Sequence, residues 1–303
     1  MIEMIKRLRV IVFISIFLFV CLILGGVAFR IFFIPDLVIG AKNCTEQQLL
    51  SEMIAIYLEA HTPLKIKRRF HLEGTRICFD ALKTNTIDLY CEYAGTALLD
   101  ILKESDLSKD FTYLKKEFER RFNFVLLDPL GIDNRYVLLM RENETQTRGI
   151  NTISSLIEHQ KQFPFFKIGC DPEFMIRPEK DLLCKAYGLD DKNGMLMMDQ
   201  ALLYLSLSKN GVQAISASST DGQILTFHLR ILEDDLHCFP SYYVFPMVRK
   251  EVLIKYPELH ILLKRLYLFI SNNEMQKLNY KVEKKGKNVY QVSRDFLISK
   301  NLI

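Results

Sequence analysis

The chain has 303 residues, 49% of them hydrophobic and 25% charged, a globular composition with length for two lobes or one large α/β domain. Its formal net charge of +4 is concentrated at the start, where Lys6, Arg7, Arg9 and Arg30 against Glu3 give +3 and leave +1 for the rest, so the body gives no reason to expect nucleic acid. Seven cysteines without a CxxC pair, and six histidines without ligand spacing, exclude a zinc-type metal motif and a disulfide framework; the cysteines are read as small buried hydrophobes.

Residues 10–29 form an uninterrupted run of twenty uncharged, mostly apolar residues. That matches the roughly 20 residues needed to span a bilayer. Lys6, Arg7 and Arg9 before it orient the start toward the cytoplasm. Gly26-Val27-Ala28 offers small residues for signal cleavage, whereas Leu18-Phe19-Val20 is too bulky ahead of Cys21 for lipidation. Residues 1–35 are therefore read as a membrane anchor or an inefficiently cleaved signal peptide. Residues 36–303 are then extracytoplasmic, in the periplasm or on the outer face of the inner membrane.

Leu37-Val38-Ile39-Gly40 reads as a short strand, followed by a loop carrying Lys42 and a helix that Thr45 opens in capping-box style with Gln48. Leu49, Leu50, Met53, Ile54, Tyr57 and Leu58 recur at helical spacing and form its buried face. Residues 64–72 read as a second strand, and Gly74-Thr75 opens a second helix.

In Thr86-Ile87-Asp88-Leu89-Tyr90-Cys91-Glu92-Tyr93-Ala94-Gly95-Thr96, the first half alternates as a buried strand. The second half turns through Gly95 into an apolar helical run for which Thr96 is a natural N-cap. Tyr93, the Thr96 hydroxyl and free backbone N–H groups thus meet where a strand ends and a helix begins. Open α/β sheets bind ligands at that position, and a helix start favours an anionic group. The plainer reading is a strand–turn–helix with a surface tyrosine.

A charged helix over residues 113–122 follows, then a strand over 136–141 and a helix over 153–159 with Thr152 as cap. Residues 165–170 read as a strand. Asp171-Pro172-Glu173-Phe174 is a helix-start signal with Arg177 one turn further on. A helix over 198–208, a strand over 212–217 and helices over 257–271 and from 274 onward complete the pattern, with 281–287 a basic solvated loop. Strands alternating with helices imply doubly wound, mostly parallel sheets, and the length implies two. With no Gly-rich phosphate loop, G-x-S-x-G elbow, HExxH or internal repeat, the chain offers nothing as an enzyme.

The ordered set of residues 40–47 (Gly-Ala-Lys-Asn-Cys-Thr-Glu-Gln), Glu73-Gly74-Thr75, 88–96, Asp171-Pro172-Glu173-Phe174, Ser219-Thr220-Asp221-Gly222, Ile231-Leu232-Glu233-Asp234-Asp235 and Leu278-Asn279-Tyr280 resembles the substrate-binding proteins of osmoprotectant ABC importers. That family captures glycine betaine, choline and related quaternary amines, and the match covers nearly all of residues 37–303. The resemblance implies an α/β two-lobed periplasmic-binding-protein fold (type II) with two hinge crossings. Lobe 1 would comprise residues 36–133 and 243–303, and lobe 2 residues 134–242. It also implies an ABC permease and its ATPase as partners, with no cofactor and no metal.

In the family a box of tyrosines surrounds the trimethylammonium and polar side chains hold the carboxylate. A quaternary ammonium donates no hydrogen bond, so cation–π attraction and apolar contact are what remain, while a carboxylate suits a bidentate Arg. Carried over position by position, the resemblance implies Lys42, Thr96 and Arg177 at the carboxylate and Tyr93, Tyr136 and Tyr242 around the cation. One position departs: Ser218 stands where the family often has a tyrosine. Two other readings remain open, namely the same fold binding another zwitterion or an amino acid, and a membrane-anchored sensor not coupled to transport.

Overall fold

The computed structural model describes residues 35–107 and 109–303; the N-terminal hydrophobic run lies outside the described residues. Two five-stranded mixed sheets organise the chain. The first contains β1 (Leu37–Lys42), β2 (Ile66–Leu72), β3 (Leu89–Tyr93) and β4 (Phe124–Leu126). The second contains β5 (Tyr136–Arg141), β6 (Ile168–Cys170), β7 (Met195–Met197), β8 (Ala214–Ser218) and β9 (Leu229–Ile231). The chain then returns to the first sheet through β10 (Val244–Arg249). Strand orders are β2-β1-β3-β10-β4 and β7-β6-β8-β5-β9.

The inner strands are apolar because both faces of each sheet are covered there, whereas the edge strand β2 alternates half-buried and exposed residues. Leu89, Cys91, Val244 and Val248 face one cluster with the buried side of the helix Thr45–His61, while Tyr90, Phe245 and Met247 face the opposite one. In the second sheet Leu138 and Met140 point one way and Val137 and Leu139 the other. This is the period of two that a strand imposes. Tyr57 is 1% exposed, as its place on the helical stripe requires.

Several local expectations change. The sheets are only half parallel: β10 runs antiparallel to β3 and β4, and β5 antiparallel to β8 and β9. A strand arriving from the other sheet enters from the end opposite to that used by a helical crossover, so each sheet acquires one reversed strand. Cys44, not Thr45, is the N-cap of the helix Thr45–His61 and makes no side-chain cap. Gln48 instead turns toward His71, with 3.1 Å between Nε2 and Nδ1. The stretch from residue 257 breaks after the helix Glu258–Lys264, because Leu268 and Ile270 donate their N–H groups to Pro129 and Leu130 of the first crossing. Cys44, Cys78, Cys91, Cys170, Cys184 and Cys238 are all free thiols, with Cys44 exposed and Cys184 and Cys238 half-buried instead of core residues. Among the described residues no helix is long and apolar enough to cross a membrane.

The passages between sheets are tied to each other. Asp133 and Tyr243 form an antiparallel bridge, and the Tyr242 N–H donates to Asp133 Oδ1 at 2.6 Å. Asn272, at the start of the helix Asn272–Glu283, reads both backbone groups of Asp133: Oδ1 accepts from its N–H and Nδ2 donates to its carbonyl, each at 2.8 Å.

Leu138 is fully buried between layers, whereas Leu202 on the helix Gln200–Ser208 is 52% exposed. Leu138→Ala should destabilise by about 2–5 kcal/mol and Leu202→Ala by no more than about 0.5 kcal/mol, read from denaturant midpoints.

Candidate functional site

At the end of β3, Glu92 is fully buried and gathers three donors. Lys42 Nζ lies 2.5 Å from its Oε1, the Tyr93 N–H donates to it at 2.8 Å, and the Tyr90 hydroxyl at 3.2 Å. The same ammonium stands 5.3 Å from the centre of the Tyr93 ring. Lys42 is thus placed behind Tyr93 and neutralised by a buried carboxylate, outside the lining of the cleft described below. Helix formation starts at Ala94, with Tyr93 as N-cap, and passes through Thr96 into a π-helical turn, Ala97–Ile101. Thr96 therefore sits inside the first turn with its side chain on the cleft, and is not the cap that its residue type suggests.

The Tyr93 hydroxyl donates to Glu46 Oε1 at 2.8 Å. Glu46 is buried and also accepts from Asn134 Nδ2 at 3.0 Å, from Asn279 Nδ2 at 3.4 Å and from the Thr220 side chain. Burial raises its carboxyl pKa, and those four hydrogen bonds oppose the rise. One carboxylate thereby links the first sheet's helix, a crossing, the C-terminal region and the loop after β8.

On the second sheet, Asp171 caps the short helix Pro172–Ile176, accepting from the Phe174 N–H at 2.8 Å, with Pro172 at its first position. Pro178 begins the next helix, Pro178–Tyr187, so Arg177 falls at the break with extended backbone. Its guanidinium meets Glu173 through Nη1 at 2.9 Å, Glu179 through Nε at 3.3 Å and the Tyr242 hydroxyl through Nη2 at 2.9 Å. It lies 5.6 Å from the Tyr136 ring centre and 5.9 Å from that of Tyr242, within cation–π range of both. The fully buried Glu179 accepts a short hydrogen bond from the Tyr242 hydroxyl. Burial alone would lower the Arg177 pKa, but Tyr242, Glu179 and Tyr136 raise it further, so the guanidinium stays charged. Burial, then Glu179, pushes the Tyr242 phenol up, and it stays a donor.

Between the sheets lies a cleft of about 780 Å³, its open mouth included. Tyr93, Thr96, Tyr136, Arg177, Ser218 and Tyr242 all line it, drawn from five separate stretches of sequence. The cleft is also lined by Asp171, Glu173 and Asp221, which the sequence motifs contain without a role at the ligand, and by Asn134, Arg135 and Tyr204. Tyr204 is the most consequential omission. It projects from the helix Gln200–Ser208, its ring stacks on Phe227 at 5.8 Å, and its hydroxyl donates to Asp221 Oδ2 at 2.5 Å. In sequence it is one apolar residue of an amphipathic helix; the two residue types at 204 and 221 carry no spacing that announces their pairing. Ser218 donates a short hydrogen bond to Asn134 Oδ1, leaving no aromatic ring at its position.

Gly95 explains how Tyr242 reaches the cleft. A Cβ placed on Gly95 would stand 2.1 Å from the Tyr242 ring, so the ring lies flat against the backbone at the end of β3. Tyr242 is 5% exposed and joins Gly95 on one side to Arg177 and Glu179 on the other. The result is a cluster of aromatic faces with one compensated cation at its edge. It suits a ligand carrying both a soft cation and an anion.

The substrate-binding domain of the ABC-type glycine betaine transport system matches residues 35–299. The chain is 36% identical over 265 residues to the ergothioneine transport permease/ergothioneine binding protein of Helicobacter pylori (strain G27), covering 86% of this chain and 47%, about half, of that protein's length. It is 33% identical over 270 residues to the carnitine transport binding protein of Listeria monocytogenes serotype 1/2a (strain 10403S), covering 87% of this chain and 86% of the relative. The crystal structure of a glycine betaine/carnitine/choline ABC transporter superposes with a TM-score of 0.80 at 27% identity, over 88% of this chain and 99% of that one. These relatives are, by name, binding components of transporters, not enzymes. A two-sheet α/β architecture with a tyrosine-lined cleft, matched along nearly its whole described length, places this chain in the family of substrate-binding domains of ABC-type glycine betaine transport systems.

Proposed function

We propose that the chain captures a carboxylate-bearing quaternary amine between two lobes and delivers it to an ABC permease powered by a separate ATPase. Lobe 1 comprises residues 36–133 and 243–303, lobe 2 residues 134–242, and residues 1–35 export or tether the protein. The observation that carries this reading is the placement of a cation, the Arg177 guanidinium, between 5.6 and 5.9 Å from two ring centres that open on the cleft. The electron-rich faces that attract this guanidinium are what a quaternary ammonium also needs, and the guanidinium itself is the partner a carboxylate needs. Tyr93, Tyr136 and Tyr242 surround the ammonium; Arg177 and Thr96 take the carboxylate. Lys42 contributes through the Tyr93 ring and the Glu92 ion pair behind it.

An amino acid with a primary ammonium requires acceptors in place of bare rings. The carboxylates that line the cleft are each engaged within the protein: Asp221 accepts from the Tyr204 hydroxyl and the Gln223 N–H, Asp171 from the Phe174 N–H, and Glu173 from Arg177. This favours the quaternary amine.

Two experiments check the reading. Calorimetric titration of residues 36–303 should give binding by glycine betaine or carnitine at least about tenfold tighter than by choline, which lacks the carboxylate, and none by proline. Equal affinity for choline would remove Arg177 from the role. Gly95→Ala forces the Tyr242 ring away from its seat, so it should destabilise the protein by about 1–3 kcal/mol and weaken ligand binding more than Tyr57→Phe does. Unchanged affinity in Gly95→Ala would show that Tyr242 is not a wall of the site.

A further inference from the structure

We infer that Ser218, Asn134 and Glu46 are positioning residues, a run of hydrogen bonds that starts on the second sheet and fixes the Tyr93 ring on the first. The inference rests on the proposed function, in which Tyr93 is a wall of the site, and it gives the serine at 218 a task of its own. Glu46 stands in the first turn of the helix Thr45–His61 and is buried. Its Oε1 accepts twice, from the Tyr93 hydroxyl at 2.8 Å and from Asn134 Nδ2 at 3.0 Å. An accepting oxygen calls for the NH2 of Asn134 and not its carbonyl, so Oδ1 turns away from Glu46. The Ser218 hydroxyl meets that Oδ1 and donates to it. The donors therefore point one way, Ser218 to Asn134 and Asn134 to Glu46, and Tyr93 closes on the same oxygen from the other side. Hydrogen bonds linked in this way polarise one another.

The backbone on either side of Asn134 is already held. Its N–H donates to the Tyr242 carbonyl at 3.2 Å, the Ser219 N–H to the Arg135 carbonyl at 3.0 Å, and Ser219 Oγ to the Asp133 carbonyl at 2.8 Å. Only the amide is left to turn, and Ser218 and Glu46 settle it from its two ends. The Tyr93 ring is fixed in the same manner: its hydroxyl is bound by Glu46, and the Lys42 ammonium stands 5.3 Å from its centre. Burial, then the Glu46 charge, pushes the Tyr93 phenol up, so it stays a donor. Removing the Ser218 hydroxyl leaves Asn134 Oδ1 without its donor, frees the amide, and loosens the oxygen on which Tyr93 rests. Tyr93, Asn134 and Ser218 all line the cleft, so this run sets a wall before any ligand arrives and lowers the ordering cost of binding.

The test is a double-mutant cycle on the full chain in detergent, with glycine betaine and carnitine as calorimetric probes. Ser218→Ala removes the first donor, and Tyr93→Phe removes the last hydroxyl while keeping the ring. Each should weaken the tighter-binding probe about fivefold or more. The double variant should bind within about twofold of Tyr93→Phe, because without its hydroxyl the ring has nothing for the run to hold. Losses that simply multiply would mean that Ser218 acts on the ligand or on stability by itself, and would overturn the inference. So would a single variant that stays within about twofold of the wild type. A second readout needs no ligand: with 3-fluorotyrosine in place of tyrosine, the fluorine resonance that Tyr93→Phe deletes should shift in Ser218→Ala, and an unmoved resonance overturns the inference as well. In each of these cases wild-type binding leaves the proposed function standing, whereas a wild type that binds neither probe overturns both.

Discussion

Glu179 is a carboxylate with no exposed surface, and the architecture of the cleft follows from compensating it. An isolated buried charge costs several kcal/mol, so it must be paired and hydrogen-bonded. Here the partners are Arg177, at the break between two helices, and the hydroxyl of Tyr242, from the second passage between sheets. Satisfying Glu179 fixes the Arg177 guanidinium, which orients the faces of Tyr136 and Tyr242 around it. The pair is weak evidence for stability. Its value is positional: it holds rings and a cation in a set geometry before any ligand arrives.

The Tyr242 ring carries that geometry across to the other sheet, because its far face rests on Gly95. A second set of contacts spans the same divide. Gln276 and Asn279 of the helix Asn272–Glu283 donate to the carbonyls of Ser219 and Thr220 at 2.7 and 3.0 Å, and Gly222 packs against the backbone of Tyr280. Glu46 collects donors from both sides. Any movement of one sheet against the other would have to break or carry along these bonds between the loop after β8 and the helix Asn272–Glu283.

Much of the fold was legible in the sequence. The buried stripe ending at Leu58, the Asp171-Pro172 helix start and the Thr152 cap are local signals, and the structure has them where the residue pattern puts them. Reversed β5 and β10 were not legible, since strand direction depends on which sheet a segment joins and not on its own pattern. Thr96 looked like a cap because of its residue type, but the helix starts two residues earlier, at Ala94. For the site, motif order brought together Tyr93, Tyr136, Arg177 and Tyr242 from distant stretches. Lys42 shows the limit of that approach: position alone does not reveal a buried Glu92 that neutralises it. Tyr204 and Glu179 were missed because a tyrosine on an amphipathic helix and a glutamate in a charged segment look ordinary until tertiary contacts pair them.

In the function proposed above, the Arg177–Tyr136–Tyr242 cluster grips the two charges of a zwitterion. A crystal structure of residues 36–303 with a bound betaine-type ligand tests it most directly. The ligand carboxylate should lie within hydrogen-bonding distance of Arg177 and the trimethylammonium against Tyr93, Tyr136 and Tyr242. A ligand bound with Arg177 still held only by Glu173, Glu179 and Tyr242, and with its ammonium away from those rings, would contradict it.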